Sequence, residues 1–216
     1  MIPVYRDNDA LVELLRALKP WDMPVIVVDG DEDSTTCAIV EGQGRYVVAA
    51  PGRGAQIAEG IRHAATPWIW VLHADCQPSA AAVDELNAVV ASRALGWGRC
   101  DVLLPGLPRV AWWMNWRSKV TRICTGDQGM FFHGSALESI GGYPSLPLME
   151  DIEVSKLLKH SKFPFYALRG PVTSSPRRWV QNGVLSTILT MWWCRLRYFF
   201  GVSADALYAA YYGGIK

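Results

Sequence analysis

Short apolar runs alternate with helical patterns along the first half of the chain. Apolar runs predict strands at residues 2–5, 24–30, 45–51, 68–75 and 100–106. Helices are predicted where leucines recur on one face at positions 11, 14, 15 and 18, and over residues 52–65 and 79–92, with Ser79 as the N-cap of the last. Strands that alternate with helices indicate an α/β fold, a Rossmann-like and mostly parallel sheet with helices on both faces.

The second half of the chain is less regular after Gly106. Residues 148–160 predict a helix that begins near Glu150, and residues 177–200 predict one amphipathic helix followed by a second short helix over 203–212. No internal repeat or linker separates the halves. The sequence therefore predicts a single domain, residues 1–216, with halves 1–106 and 107–216.

Charge is distributed unevenly, although the net charge of the 216 residues is only +1. Residues 1–50 carry nine acidic and four basic side chains, whereas residues 171–216 carry five basic and one acidic. This near-neutral total gives no electrostatic reason to expect nucleic acid as a partner. The acidic end favours a metal or base-binding pocket, and the basic end favours phosphates or a lipid surface.

The five cysteines are scattered and form no CxxC pair. This usage is typical of reduced thiols packed as small hydrophobic residues in a cytoplasmic protein. We find no signal peptide pattern at the N-terminus. The apolar stretch 184–202 contains Arg195 and Arg197, so we do not expect it to span a membrane.

Two aspartates follow buried strands at equivalent places. Asp29 ends the run VIVVD, and Asp75 ends the run WIWVLHAD. Because ligands of open α/β sheets bind beyond the carboxyl ends of the strands, the pair indicates a site at that edge. The alternative is that each aspartate begins a turn or caps a helix, which is the commoner role of a single aspartate there.

Three further stretches carry candidate chemistry. Arg53 lies in PGRGAQ at a helix start, where an anion would bind, although an ordinary turn explains this stretch equally well. Glu150 and Asp151 suit a general base, but acidic residues in a first turn also interact favourably with the helix dipole. The stretch SSPRRW (174–179) offers arginines for a diphosphate and a flat tryptophan face, or simply a solvated basic loop.

Seven motifs in order resemble family 2 glycosyltransferases of the GT-A fold, from Ile2 to about Tyr212. They are IPVYRDN, VVDGDEDST, GRGAQ, LHAD, GDQG, MEDIE and RRW. More narrowly, the chain is similar to small bacterial transferases whose strand ends in HAD and whose later half carries GDQG and a PLMED-type segment. The resemblance implies transfer of a sugar from a nucleotide-sugar to an acceptor hydroxyl, with inversion and a divalent cation.

The donor-side residues follow from this resemblance and lie mostly in the first half, 1–106. Asp29 would bind the base or ribose, and Arg53 and Arg178 would lie beside the nucleotide. Asp75 matches the last residue of the DXD-type motif, which holds a cation between the two phosphates. The first DXD position is His73, so the expected metal ligands are Asp75 and His73. Imidazole suits Mn²⁺ better than Mg²⁺, which leaves the cation's identity open.

The acceptor side, implied in the same way, lies in the second half, 107–216, with its C-terminal amphipathic helices. Glu150 and Asp151 match the ED pair, with Asp151 as the base that deprotonates the acceptor hydroxyl. Asp127 and Gln128 belong to the loop that lines the acceptor side. Trp179 completes RW of a QxxRW signature whose glutamine is absent, which argues against a polymer synthase.

Tryptophans cluster at 112–116 and 192–193. We favour core and subunit packing, which allows a homo-oligomer. The alternative is peripheral contact of residues 184–202 with the inner face of the membrane, which would suit a lipid-linked acceptor. Two other functions stay open: a sugar-1-phosphate nucleotidyltransferase, although no Gly-rich loop follows the first strand, and a degenerate transferase that only binds.

Overall fold

The computed structural model describes residues 1–31 and 34–212. The strands of this part are β1 Ile2–Val4, β2 Ile26–Asp29, β3 Arg45–Val48, β4 Trp68–Trp70, β5 Cys76–Pro78, β6 Trp97–Leu103, β7 Met130–His133 and β8 Phe165–Ser174. The helices are α1 Asn8–Leu18, α2 Ser34–Val40, α3 Arg53–Arg62, α4 Ala80–Ala91, α5 Pro108–Thr121, α6 Gly134–Glu138, α7 Glu150–Lys159, α8 Arg177–Asn182, α9 Val184–Phe199 and α10 Ala204–Tyr212.

The strands form a parallel part and a mixed part. The first is β1-β2-β3, parallel throughout, and the second is β4-β7-β6-β8-β5, in which only β6 and β8 pair in parallel. The two parts meet where the amide of Leu72 donates to the carbonyl of Met1 at 3.0 Å. The parallel arrangement expected from the sequence therefore holds for β1 to β3 and for the pair of β6 and β8, whereas β4 and β5 pair antiparallel with later strands.

Helices pack on both faces of these strands. Phe131 of β7 belongs to a core with leucines of α1 and α4, whereas its neighbour Phe132 belongs to a core with residues of α3, α6 and α7. Adjacent residues of a strand point to opposite faces, so the two cores cover the two sides of the sheet. The strand ends that carry the candidate residues are therefore held by hydrophobic cores on both faces of the sheet.

The strongest local patterns of the sequence give the expected helices. Leu11, Leu14 and Leu15 are buried on α1, and the Ser79 hydroxyl accepts a hydrogen bond from the Ala82 amide as the N-cap of α4. The predicted long helix over 177–200 is wrong. It is divided into α8 and α9 at Gly183, whose φ of +78° breaks the helical path.

The sequence did not predict α2, α5, β5, β7 and β8. Helix α5 leaves Trp112, Trp113 and Trp116 at its surface, so its apolar residues show no helical period. Strand β7 is too short to stand out, and β8 contains Gly170 and Pro171, which ordinarily interrupt strands. None of the described helices has both the length and the apolar character needed to cross a bilayer.

Candidate functional site

A polar cleft of about 290 Å³ opens at the ends of β1 and of the segment that follows β4. We call it the strand-end cleft. Its polar lining consists of Tyr5, Asp7, Arg53, His73, Asp75, Asp127, Ser175 and Arg178, with Trp179 forming part of one wall. Residues from both halves of the chain meet here, as the strand-end argument predicts for Asp75.

His73, Asp75 and Cys76 lie close enough together for one cation. Ligand atoms of the three lie within 4.8 Å of one another. Burial raises the pKa of the Asp75 carboxyl, and this effect is partly offset by His73. Cys76 is fully buried and burial raises the pKa of its thiol well above the ordinary value, so it is a poor ligand at neutral pH.

Asp127 brings a second carboxylate to this cluster. Its Oδ1 lies 3.5 Å from Nδ1 of His73. Burial tends to raise the pKa of Asp127, but His73, Arg53 and Arg178 outweigh that effect and hold the pKa at about 2. Nε2 of His73 is buried and has no hydrogen-bond partner among the described residues. The imidazole of His73 and the carboxylate of Asp75 fit a cation that accepts nitrogen and oxygen ligands, such as Mn²⁺, with Asp127 beside the imidazole.

The imidazole of His73 packs directly on Gly126. A Cβ at residue 126 would lie 2.3 Å from Cε1 and 2.4 Å from Nε2 of His73. We expect Gly126→Ala to displace the ring and to lower the free energy of unfolding by about 1–3 kcal/mol. Thermal unfolding measures this loss. Gly134→Ala is the matched control, because its Cβ would meet nothing closer than the Pro67 carbonyl at 3.7 Å, and an equal loss there would contradict the packing argument.

Arg53 and Glu150 join the starts of α3 and α7. Nε of Arg53 lies 3.3 Å from Oε1 of Glu150, which is 3% exposed. Gly54 permits this approach, since a Cβ there would lie 2.3 Å from the Leu146 carbonyl. Burial raises the pKa of Glu150 despite the opposing charge of Arg53. Arg53 also lines the strand-end cleft, so one guanidinium faces both the cleft and the buried carboxylate.

Asp151 lies in a smaller recess of about 60 Å³, which we call the helix-start recess. Its Oδ2 accepts a hydrogen bond from the Gly126 amide at 3.0 Å, and its Oδ1 accepts one from the Ile152 amide at 2.7 Å. A carboxylate has about four acceptor positions, so each oxygen retains one for a ligand. The recess and the strand-end cleft share Arg53, Asp127 and Arg178.

Gln128 has a different place from its neighbour Asp127. Its side chain is fully buried, donates to Ser118 Oγ at 2.9 Å and Asn115 Oδ1 at 3.2 Å, and accepts from the Thr125 amide. It does not line the two clefts just described. The structure thus places Gln128 under the 126–129 loop as a support, not at the surface where the sequence reasoning expected contact with an acceptor.

Asp29 is buried at the end of β2 and lines neither the strand-end cleft nor the helix-start recess. Its two oxygens accept hydrogen bonds from the Asp31 amide at 3.0 Å and the Tyr46 hydroxyl at 3.1 Å. Its backbone carbonyl accepts from the Ala49 amide. Asp29 therefore organises the ends of β2 and β3, and its predicted contact with a nucleotide stays a prediction.

The arginines at 177 and 178 take different partners. Arg178 lines both clefts, and Trp179 is 6% exposed behind it. Arg177 instead donates to Asp7 Oδ2 at 2.6 Å. The sequence reasoning assigned no role to Asp7 or to Arg195, which lines the helix-start recess. The sequence does carry one signal for Arg195: it lies in an apolar helix that contains no acidic residue to pair with it.

The first part of the chain matches a known family. Residues 1–93 match the model of glycosyl transferase family 2. The match includes the first four of the seven motifs, from IPVYRDN to LHAD, and confirms the family resemblance for this part of the chain. No curated protein sequence matches the chain.

Solved structures share the fold at low identity. The mannosyltransferase PcManGT from Pyrobaculum calidifontis, in complex with GDP-Man and Mn²⁺, superposes with a TM-score of 0.64 at 19% identity over 80% of this chain and 55% of its own. TarS 1–349 from S. aureus, in complex with UDP-GlcNAc, gives 0.63 at 16% identity over 81% of this chain and 57% of its own. Glucosyl-3-phosphoglycerate synthase from Mycobacterium tuberculosis, in complex with Mn²⁺, UDP and phosphoglyceric acid, gives 0.60 at 14% identity over 86% and 73%.

These similarities confirm the predicted GT-A fold class. The chain spans little more than half the length of PcManGT and TarS 1–349.

Proposed function

We propose that this chain, which carries the family 2 glycosyltransferase match over residues 1–93, transfers a sugar from a nucleotide-sugar to an acceptor hydroxyl. The observation that carries the proposal is the junction of the strand-end cleft, with its cation-binding cluster, and the helix-start recess, with Asp151. The reaction needs stabilisation of the leaving diphosphate and a base for the acceptor hydroxyl. The strand-end cleft would supply the first and the helix-start recess the second.

On the donor side, positive charge stabilises the departing diphosphate. Arg53 and Arg178 line both compartments and stand where phosphate oxygens would gain negative charge. A divalent cation would be held by Asp75 and His73, with Asp127 beside them. When bound, such a cation neutralises charge on the diphosphate as a Lewis acid. The structures with Mn²⁺ at the same fold support this choice.

On the acceptor side, Asp151 acts as the general base. The Gly126 and Ile152 amides fix its carboxylate and leave an acceptor position on each oxygen for a sugar or lipid hydroxyl. Glu150 acts through Arg53 as a positioning residue. One base with displacement from the opposite face inverts the anomeric centre, as the family resemblance implies.

A nucleotide-binding assay tests the proposal. We expect UDP or GDP with Mn²⁺ to raise the Tm, because ligands that bind only the folded state stabilise it. No stabilisation by any nucleoside diphosphate would overturn it, together with the alternative of a sugar-1-phosphate nucleotidyltransferase. If the protein binds a nucleoside diphosphate but does not cleave a nucleotide-sugar, whether the acceptor is water or a hydroxyl compound, it is the degenerate transferase that only binds.

We further propose that α5 and α9 contact an anionic lipid surface. Both helices expose apolar side chains, among them Trp112, Leu185 and Phe199; neither carries an acidic residue, and Arg109 and Lys119 are exposed on α5. Exposed aromatic residues beside unopposed basic charge suit the headgroup region of an anionic bilayer.

Co-sedimentation with vesicles tests this contact. We expect binding to vesicles containing phosphatidylglycerol, and at least a tenfold loss in Phe199→Ser, because its side chain is 79% exposed. Val90→Ser on α4, 40% exposed, is the control. A dimer in light scattering, together with no binding to these vesicles, would instead assign the surface to a second copy of the chain.

A further inference from the structure

A third cavity of about 330 Å³ lies between α5 and α9. Its walls are mainly apolar, with Trp113 and Met114 from α5 and Ile188 and Trp192 from α9. At roughly 30 Å³ for each water-sized group, it has room for about ten such groups. An apolar cavity of this size accepts a hydrocarbon chain or ring of comparable volume.

Three arginines line this cavity: Arg109 is exposed, whereas Arg117 and Arg195 are half-buried and have no acidic partner among the described residues. Nη2 of Arg117 is buried and has no hydrogen-bond partner among the described residues. Within the described part of the chain, neither guanidinium forms an ion pair shorter than 4 Å. A half-buried cation without a counter-ion is unfavourable, so the pair is suited to a ligand that brings negative charge.

The electrostatics of the pair point the same way. Burial lowers the pKa of Arg117 to about 10, and repulsion from Arg195 contributes to this shift. Burial also lowers the pKa of Arg195. The carboxylate of Asp151 opposes both shifts, but from beyond ion-pair distance. An anion between the guanidinium groups would offset both the burial and the repulsion.

The cavity adjoins the reaction centre. Arg195 and Met191 line both the cavity and the helix-start recess, where Asp151 lies. Trp179 and Met191 also line the strand-end cleft. A molecule in the cavity therefore reaches toward the base without crossing the donor compartment.

We propose that this cavity binds the acceptor, and that the acceptor is an amphiphile with an anionic group held by Arg117 and Arg195. Its apolar part lies between Trp113 and Trp192, and its hydroxyl points into the helix-start recess. The proposal rests on the transferase function and defines the acceptor's chemical class. A phosphate ester on a lipid and a small soluble phosphate share the anionic group, and the experiment separates them.

Decyl phosphate, used below its aggregation concentration, is the probe. We expect saturable quenching of the tryptophan fluorescence of the full chain, because Trp113 and Trp192 line the cavity. Inorganic phosphate, which lacks the chain, and decyl glucoside, which lacks the charge, should each bind at least tenfold more weakly. Equal binding of inorganic phosphate would overturn the apolar half of the proposal, and equal binding of decyl glucoside would overturn the anionic half.

Matched variants locate the binding. Arg117→Gln and Arg195→Gln should each weaken decyl phosphate at least tenfold. Lys119→Gln on α5 and Arg197→Gln on α9 remove the same charge from the same helices outside the cavity and should change it less than twofold. Equal losses in all four variants, or binding only to vesicles, would assign the effect to the helix surface and overturn the cavity site.

Stability separates a binding role from a structural one. Arg117→Gln should keep or raise the Tm, because it removes a buried cation without a partner. A fall in Tm together with unchanged decyl phosphate affinity would make Arg117 structural. Nucleotide stabilisation without decyl phosphate binding overturns this inference alone, whereas decyl phosphate binding without nucleotide stabilisation overturns the transferase function.

Discussion

Asp151→Asn is expected to lower kcat/KM for transfer about 10²–10⁴-fold, the usual contribution of a general base. The amide keeps the shape of the side chain but cannot accept the acceptor's proton. Release of nucleoside diphosphate from the sugar donor measures the effect, with water as the acceptor where no better one is known. Nucleotide affinity should be unchanged, since Asp151 lies in the helix-start recess and not in the strand-end cleft.

Two comparisons make this expectation decisive. Asp84→Asn removes an exposed carboxylate from α4 and should retain full activity. The Asp151 variant also loses an acceptor for one of the two backbone amides, so its Tm must be measured beside its rate. Transfer within tenfold of the unmodified protein, in a folded variant, would remove Asp151 from the role of base.

Asp75→Asn is expected to abolish the part of nucleotide binding that depends on Mn²⁺. At a ligand concentration of about 100 Kd, binding stabilises the folded state by about 2.7 kcal/mol. For a chain of this size that corresponds to a rise in Tm of about 5–10 °C. We expect the unmodified protein to show this rise with UDP or GDP and Mn²⁺. The variant should show only the rise in Tm that the nucleotide gives without Mn²⁺.

Exchanging the histidine tests the ligand set itself. His73→Asp places a second carboxylate next to Asp75 and should shift the preference from Mn²⁺ toward Mg²⁺, which favours oxygen donors. Asp127→Asn probes the neighbouring carboxylate, whose Oδ1 lies 3.5 Å from His73. An unchanged Mn²⁺ dependence in all three variants would place the cation elsewhere.

The sequence predicted those parts of the fold whose local pattern and tertiary environment agree. Helix α1 has one leucine face and one core to cover, and α4 begins at a serine cap. Strand β8 was missed because Gly170 and Pro171 look like a turn, yet pairing with β6 and β5 keeps the chain extended. Helix α5 was not predicted because its tryptophans face outward, so its apolar residues do not recur with the helical period that marks a buried face.

For the site, motif order located the residues but could not give their surroundings. Asp75 and Arg53 line the strand-end cleft together, and Asp127, which the sequence placed on the acceptor side, lines it with them. The burial of Gln128 against Ser118 and the hydrogen bond from Tyr46 to Asp29 depend on contacts between segments that are distant in sequence. The role of Arg117 and Arg195 could not be predicted for the same reason. That neither arginine has an acidic partner is known only when the positions of the surrounding helices are known.

The ion pair between Arg53 and Glu150 has a consequence for proton balance. If the donor's diphosphate draws Arg53 toward the strand-end cleft, Glu150 loses the charge that opposes its burial. Its pKa then rises further, and at a pH between the two pKa values the protein takes up part of a proton as the donor binds. The heat of binding should therefore vary with the ionisation enthalpy of the buffer, and Glu150→Gln should remove that dependence. Donor binding would then be favoured by mild acid, even though neither the sugar nor the base consumes a proton at that step.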